Sequence, residues 1–203
     1  PSDADEARKF AAMAFEISEK FDTPVLYKMC TRVAHSQSIT ETAERQVPAH
    51  KAYEKTISKY VMAPANAIKR HPFVEQRMKE LEKWSETSGI NRVEVASRAS
   101  ATGIITSSTS YQYVKEVLGD SVNILKLGMV NPLPADMIRK FAEGLEKLIV
   151  VEELDPIIET FVRGLGLKCE IHGKDMFPIC GEFSQNLVAA AFGKEVPQGK
   201  KLE

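Results

Sequence analysis

Paired cysteines are missing from this chain of 203 residues. Cys30, Cys169 and Cys180 are odd in number, widely spaced and without a C-x-x-C pair. That argues against a disulfide framework and against a zinc or iron–sulfur site built from them alone, and makes reduced core thiols the default. An excess of one charge is missing too: 27 Lys plus Arg face 28 Asp plus Glu, a net charge of -1. The chain therefore has no electrostatic footprint for nucleic acid or an anionic membrane. No stretch approaches the roughly 18 apolar residues a spanning helix needs, and the acidic opening Pro1-Ser2-Asp3-Ala4-Asp5-Glu6 is unlike a signal peptide. A cytoplasmic protein is the expectation. Neither a Gly-x-Gly-x-x-Gly nor a Walker-type spacing occurs, so nucleotide binding through a glycine-rich loop has no support.

What is present is a hydrophobic content of 43%, enough to build a real core. From Ala4 to Lys20, apolar residues Ala7, Phe10, Ala11, Ala14, Phe15 and Ile17 recur at helical steps, with Asp3 or Ser2 as cap. Phe21-Asp22-Thr23-Pro24 breaks that helix, and Val25 to Thr31 reads as a largely buried strand. Residues 37–89 are polar, carry Pro48, Pro64 and Pro72, and read as a connector. Its one amphipathic helix, Pro72 to Ser85, would have Pro72 in the first helical position. After Gly89 short apolar strands alternate with periodic helices. Strands are expected at 101–107, 122–127, 147–153 and 169–172, and helices at 110–118, 135–145, 156–165 and 184–192. Alternation of this kind predicts an α/β fold with a mainly parallel sheet in three layers.

Candidate chemistry lies at strand ends. The turn Thr106-Ser107-Ser108-Thr109-Ser110 opens a helix, so its N–H groups and hydroxyls could hold an anion; five hydroxyl residues in a row fit helix capping better. Glu152, Glu153 and Asp155 lie at the carboxyl end of the third strand, where open α/β sheets place their ligand crevices. Asp155 before Pro156 has the form of an N-cap, and a solvated or interfacial face is favoured over acid–base work. Arg32, His35 and Ser36 follow the Val25 strand, with charge types suited to an anionic partner or to salt bridges that hold the chain's exit. His50, His71 and His172 show no metal-ligand spacing and read as surface residues. Met62, Met78, Met129, Met137 and Met176 read as core or interface filler.

Five segments, in order, resemble a known family: Glu16 to Val25, Lys59 to Ala67, Lys126-Leu127-Gly128-Met129-Val130-Asn131-Pro132-Leu133-Pro134, Glu146 to Pro156, and Gly173 to Glu182. Together they are similar to the alpha subunit of indolepyruvate ferredoxin oxidoreductase, a 2-oxoacid:ferredoxin oxidoreductase, over nearly the whole chain. The resemblance implies that residues 1–36 are the end of a pyrimidine (thiamine-binding) domain, a helix–strand remnant. Residues 90–196 would be a transketolase C-terminal-like domain. The missing initiator Met and the closing Lys200-Lys201-Leu202-Glu203 make the chain read as a segment of a longer polypeptide, with 197–203 a tail derived in part from cloning.

The implied reaction is oxidative decarboxylation of an arylpyruvate to an acyl-CoA, with ferredoxin taking the electrons. The implied cofactors of the full enzyme are thiamine diphosphate, Mg and 4Fe-4S clusters, and the implied partners are the remaining domains, a smaller beta subunit, ferredoxin and coenzyme A. The family's thiamine-contacting glutamate, metal and pyrophosphate motif and cysteine-rich motifs have no matching positions, so the segment alone is expected to hold no cofactor and no catalytic residue. Related pyruvate enzymes carry an Arg and a His where Arg32 and His35 stand, which makes these active-site-edge or domain-junction candidates. Two other readings stay open: a pyruvate or other 2-oxoacid oxidoreductase subunit, or a stand-alone anion-binding or assembly module. A helix–strand remnant cut from its sheet would expose an apolar face, which a homodimer would cover.

Overall fold

The computed structural model describes residues 1–45 and 47–196; the expected tail from 197 to 203 lies outside the described residues. Helix α1 (Ala4–Phe21) starts where the sequence places it. The Asp3 carboxylate accepts from the Glu6 N–H at 2.8 Å, and Asp22 ends the helix in the left-handed region. The segment after it departs from expectation. Residues 24–30 pair with no described strand, Leu26 is 95% exposed, and Thr31 begins a short helix, α2 (Thr31–His35). A strand satisfies its backbone only beside a neighbour, and no described strand reaches this segment. It is tethered instead by the Tyr27 hydroxyl, which donates to the Ala7 carbonyl at 2.7 Å. The apolar face foreseen there is open: Val25 and Met29 are exposed alongside Leu26.

The connector holds one turn of helix, α3 (Ile57–Tyr60), and then a helix longer than expected, α4 (Pro64–Thr87). Pro64 occupies its first turn, where a missing N–H costs nothing, whereas Pro72 lies inside the helix.

The sheet comprises β1 (Arg92–Glu94), β2 (Thr102–Ser107), β3 (Asn123–Leu127), β4 (Lys147–Val151) and β5 (Glu170–His172), in the order β1-β3-β2-β4-β5. β1 runs antiparallel to β3, and every other pair is parallel. The edge strand β1 escapes a sequence reading because it is three residues long and not apolar. Strand alternation builds two cores. On one face Ile104, Ile124 and Ile149 pack with α5 (Ser108–Leu118) and α8 (Gln185–Ala191), around Phe177 and Phe183. On the other, Ile105, Leu125, Leu148 and Val150 pack with α6 (Ala135–Ala142) and α7 (Ile157–Gly164). The fold is therefore the expected three-layer α/β arrangement. A third apolar cluster stands apart from both: Ile17, Leu81 and Ile90, with Phe10, Phe21 and Trp84 against them, join α1 to α4.

Candidate functional site

The chain leaves β2 for β3 on one side and later crosses to β4 on the other. The helices that follow β2 and β4 lie on opposite faces, so the carboxyl ends of β2 and β4 flank the crevice where such sheets place ligands. Thr106 closes its base, its hydroxyl donating to the Val151 carbonyl at 2.9 Å. Ser108 is in the left-handed region, at φ 52°, and its hydroxyl donates to the Pro1 carbonyl at 3.2 Å. The expected capping by hydroxyls is not found: Ser107 stands at the N-cap of α5 without a side-chain bond to the helix. The hydroxyls are drawn to the neighbouring strand and the amino-terminal segment instead.

Arg32 reaches over this end of the sheet. Its guanidinium pairs with Glu182 at 2.6 Å and lies 5.7 Å from the centre of the Tyr113 ring. Glu153 accepts the Phe183 N–H at 2.8 Å. Arg32 is thus tied to the loop before α8. His35 is exposed on α2, and the Ser36 hydroxyl donates to the Val33 carbonyl at 2.9 Å, closing α2. An open hollow of about 230 Å³ lies between Arg32, Ser36, Thr109 and Gln112. Its wall includes the Asp3 carboxylate, which accepts from Gln112 at 3.0 Å. With Arg32 paired to Glu182 and Asp3 in the wall, the hollow has little attraction for an anion.

Two of the three carboxylates after β4, those of Glu152 and Glu153, accept backbone N–H groups. Glu152 accepts the N–H groups of Ile158 and Glu159 at 2.9 and 2.8 Å, capping α7. Burial holds its carboxyl above the ordinary range, although the two backbone donors oppose this. Asp155 does not cap with its side chain: it is exposed, and only its carbonyl accepts, from the Ile157 N–H at 2.9 Å. The reason is geometric. The left-handed turn at Leu154 carries the chain past the helix end and leaves Glu152 facing it. Lys174 donates to the Glu152 carbonyl, and burial lowers its ammonium below the usual lysine range against the pull of Glu152 and Glu159.

Other expectations also need correcting. His172 is half-buried, held between Asp175 at 2.5 Å and Glu170 at 3.1 Å, because β5 packs it against the following loop. Cys180 and Met62 are exposed. Sequence reasoning missed Lys126 altogether. This lysine, fully buried on β3, pairs with Glu6 of α1 and sits 5.0 Å from the Phe10 ring centre. A lysine inside the apolar string Ile124-Leu125-Lys126-Leu127 was the available signal. Asn91 was missed as well. Buried, it donates to the Ser85 carbonyl and accepts from the N–H groups of Gly128 and Met129.

The metal-containing cofactors implied by the resemblance, Mg and 4Fe-4S clusters, find no donor set among the described residues. Among the described residues no group of three or more His, Cys, Asp or Glu side chains could hold a metal ion. The chain's three cysteines fall short of the four thiolates a 4Fe-4S cluster takes. Among the described residues, no helix is long and apolar enough to cross a membrane.

No protein-family model matches the chain. Among curated proteins it is similar to the "Indolepyruvate oxidoreductase subunit IorA" of Methanothermobacter marburgensis, 36% identical over 202 residues, 94% of this chain and 32% of the relative. The subunits of that name from Thermococcus kodakarensis and Pyrococcus horikoshii are each 34% identical over 208 residues, 96% of this chain and 32% of theirs. A solved structure titled 2-oxoglutarate:ferredoxin oxidoreductase, from Magnetococcus marinus, aligns with 65% of this chain and 23% of its own at a TM-score of 0.49 and 20% identity. The chain spans about a third of the length of the curated relatives it matches. Along nearly all of its residues the chain is similar to one third of the indolepyruvate oxidoreductase IorA subunits.

Proposed function

We propose that this chain is one segment of a thiamine-diphosphate-dependent indolepyruvate:ferredoxin oxidoreductase subunit. It provides packing surface for the domains that carry the reaction rather than a reactive centre. The observation that carries the reading is the identity of 34–36% along 94–96% of the chain to proteins about three times its length. In this reading residues 1–36 end a pyrimidine-binding domain, 37–89 connect, 90–196 form a transketolase C-terminal-like domain and 197–203 are a tail. The full enzyme, in the cytoplasm, would decarboxylate an arylpyruvate oxidatively, passing the acyl group to coenzyme A and electrons to ferredoxin through its 4Fe-4S clusters, with a smaller beta subunit as partner. Thiamine diphosphate with Mg supplies the carbanion chemistry when bound; the residues of this chain order the surface beside it. Arg32, His35, Ser36, Glu152 and Asp155 are assigned to the domain junction, an assignment supported by the Arg32–Glu182 tie and the Glu152 cap.

The test uses a chimera in which this chain replaces the matching third of the Thermococcus kodakarensis subunit, assembled with that enzyme's other subunit. With indolepyruvate, coenzyme A and a viologen dye, the chimera is expected to reduce the dye and the isolated chain to leave it oxidised. Turnover by the isolated chain, or a folded chimera without activity, would overturn the reading. A chimera that prefers pyruvate would move the substrate assignment to the pyruvate enzymes.

A further inference from the structure

The contact between α1 and the sheet is unlike the other helix contacts in the molecule. α5, α6, α7 and α8 meet the strands through the two sheet-side cores, whereas α1 shares its apolar cluster with α4. What α1 presents to β3 is chiefly a charge: Glu6, itself buried, pairs with the fully buried Lys126 and with Arg92 of β1 at 3.0 Å. The Lys126 ammonium lies between the rings of Phe10 on α1 and Tyr111 on α5, 5.0 and 6.0 Å from their centres. Glu6 is the one carboxylate paired with it among the described residues. Below this pair, Gly128 lets α1 come close, since a Cβ there would stand 2.6 Å from the Phe10 ring.

We infer that α1 opens separately from the sheet, and that the Glu6–Lys126 pair is the lock that holds it shut. A buried ion pair is costly to break on one side, because the remaining partner stays buried and unpaired, and cheap to replace on both sides by neutral groups. A helix attached mainly through such a pair is released as a unit when the pair is broken, while two sheet-side cores that do not depend on it stay closed. The lock also has a sense in pH. Burial acts to raise the Glu6 carboxyl, but Lys126, the Ser2 N–H and Arg92 outweigh it and bring it below the ordinary range. Its support is therefore present above the ordinary glutamate value and is lost as pH falls through the folded one. The other titratable groups facing the pair are Asp3 at the cap of α1, Tyr27, Tyr111 on α5 and the amino group of Pro1, and beyond Arg92 stand Glu94 on β1 and Lys115 on α5. Lys115 and Arg92 are both tied to Glu94, which leaves Glu6 as the group whose neutralisation uncovers Lys126.

The test is hydrogen exchange read separately on α1 and on β2 to β4. Trp84, the single tryptophan, reports by fluorescence on the α1–α4 cluster. Lys126→Met is expected to raise α1 exchange at least tenfold while β2 to β4 change less than twofold, and Glu6→Gln combined with Lys126→Met to recover most of that loss. In the unaltered chain, acidification should speed α1 exchange, corrected for its intrinsic pH dependence, before that of the strands; this arm stands even if the single variant does not fold. Equal acceleration of α1 and the central strands, or α1 rates unchanged in both arms, would overturn the inference.

Discussion

Glu152 makes the sharpest quantitative prediction. Its two carboxylate oxygens satisfy two N–H groups of α7 in a buried setting. Glu152→Ala removes both acceptors at once and leaves both donors without partners. Losing a capping acceptor costs about 1 kcal/mol, and each stranded buried donor adds a penalty of similar size; removing a buried charge returns part of it. The net expectation is about 2 to 3 kcal/mol. For a chain of this size that lowers the thermal midpoint by roughly 4 to 12 °C. Glu152→Gln keeps one acceptor oxygen and discards the buried charge, so it should cost less than half as much. The pH dependence separates the two effects. Because burial raises the folded carboxyl above its ordinary value of 4.5, the native state holds the proton more tightly than the unfolded chain. The group's contribution is then complete below that value and falls as pH rises through the folded one. Urea unfolding followed by circular dichroism should show the native chain losing ground to Glu152→Gln as pH climbs above 4.5. A Glu152→Ala midpoint indistinguishable from the native one, or a gap to Glu152→Gln that widens in favour of the native chain, would refute this account of the cap.

Two further substitutions test the junction between the connector and the sheet. Asn91→Ala strands the Ser85 carbonyl and the Gly128 and Met129 N–H groups, and should cost about 2 to 3 kcal/mol in urea unfolding. Gly128→Ala drives a Cβ to 2.3 Å from the Ile90 carbonyl oxygen, a backbone atom that cannot turn aside; a loss of about 2 to 3 kcal/mol is expected. The control is Gly144→Ala, where the space is open and only a φ of 76° opposes the side chain. There the loss should be about 1 kcal/mol, and equal losses at the two glycines would show that close approach is not what Gly128 provides.

Much of this molecule was legible in its residues. The strings Gly103-Ile104-Ile105, Ile124-Leu125 and Leu148-Ile149-Val150 are apolar on both faces, which places them inside a sheet covered on both sides. The helical periodicity between them supplies the covering layers, and Asp3 announces the start of α1. These features are local: a period or a cap depends on neighbours a few residues away, so composition and spacing suffice.

What the sequence left open depends on partners far along the chain. The run of residues 25–30 has the texture of a strand but no described neighbour to pair with, and texture cannot supply one. The α7 cap comes from Glu152 rather than Asp155 because a left-handed turn re-aims the chain. The α6 cap comes from Glu86, whose carboxylate accepts the Asp136 and Met137 N–H groups from a position 50 residues upstream. The lysine at 126 became a buried lock only when α1, 120 residues earlier, brought Glu6 against it. Periodicity decides which face of an element is apolar; only the assembled fold decides which distant charge or donor that face meets, since those pairings follow from the packing of whole elements.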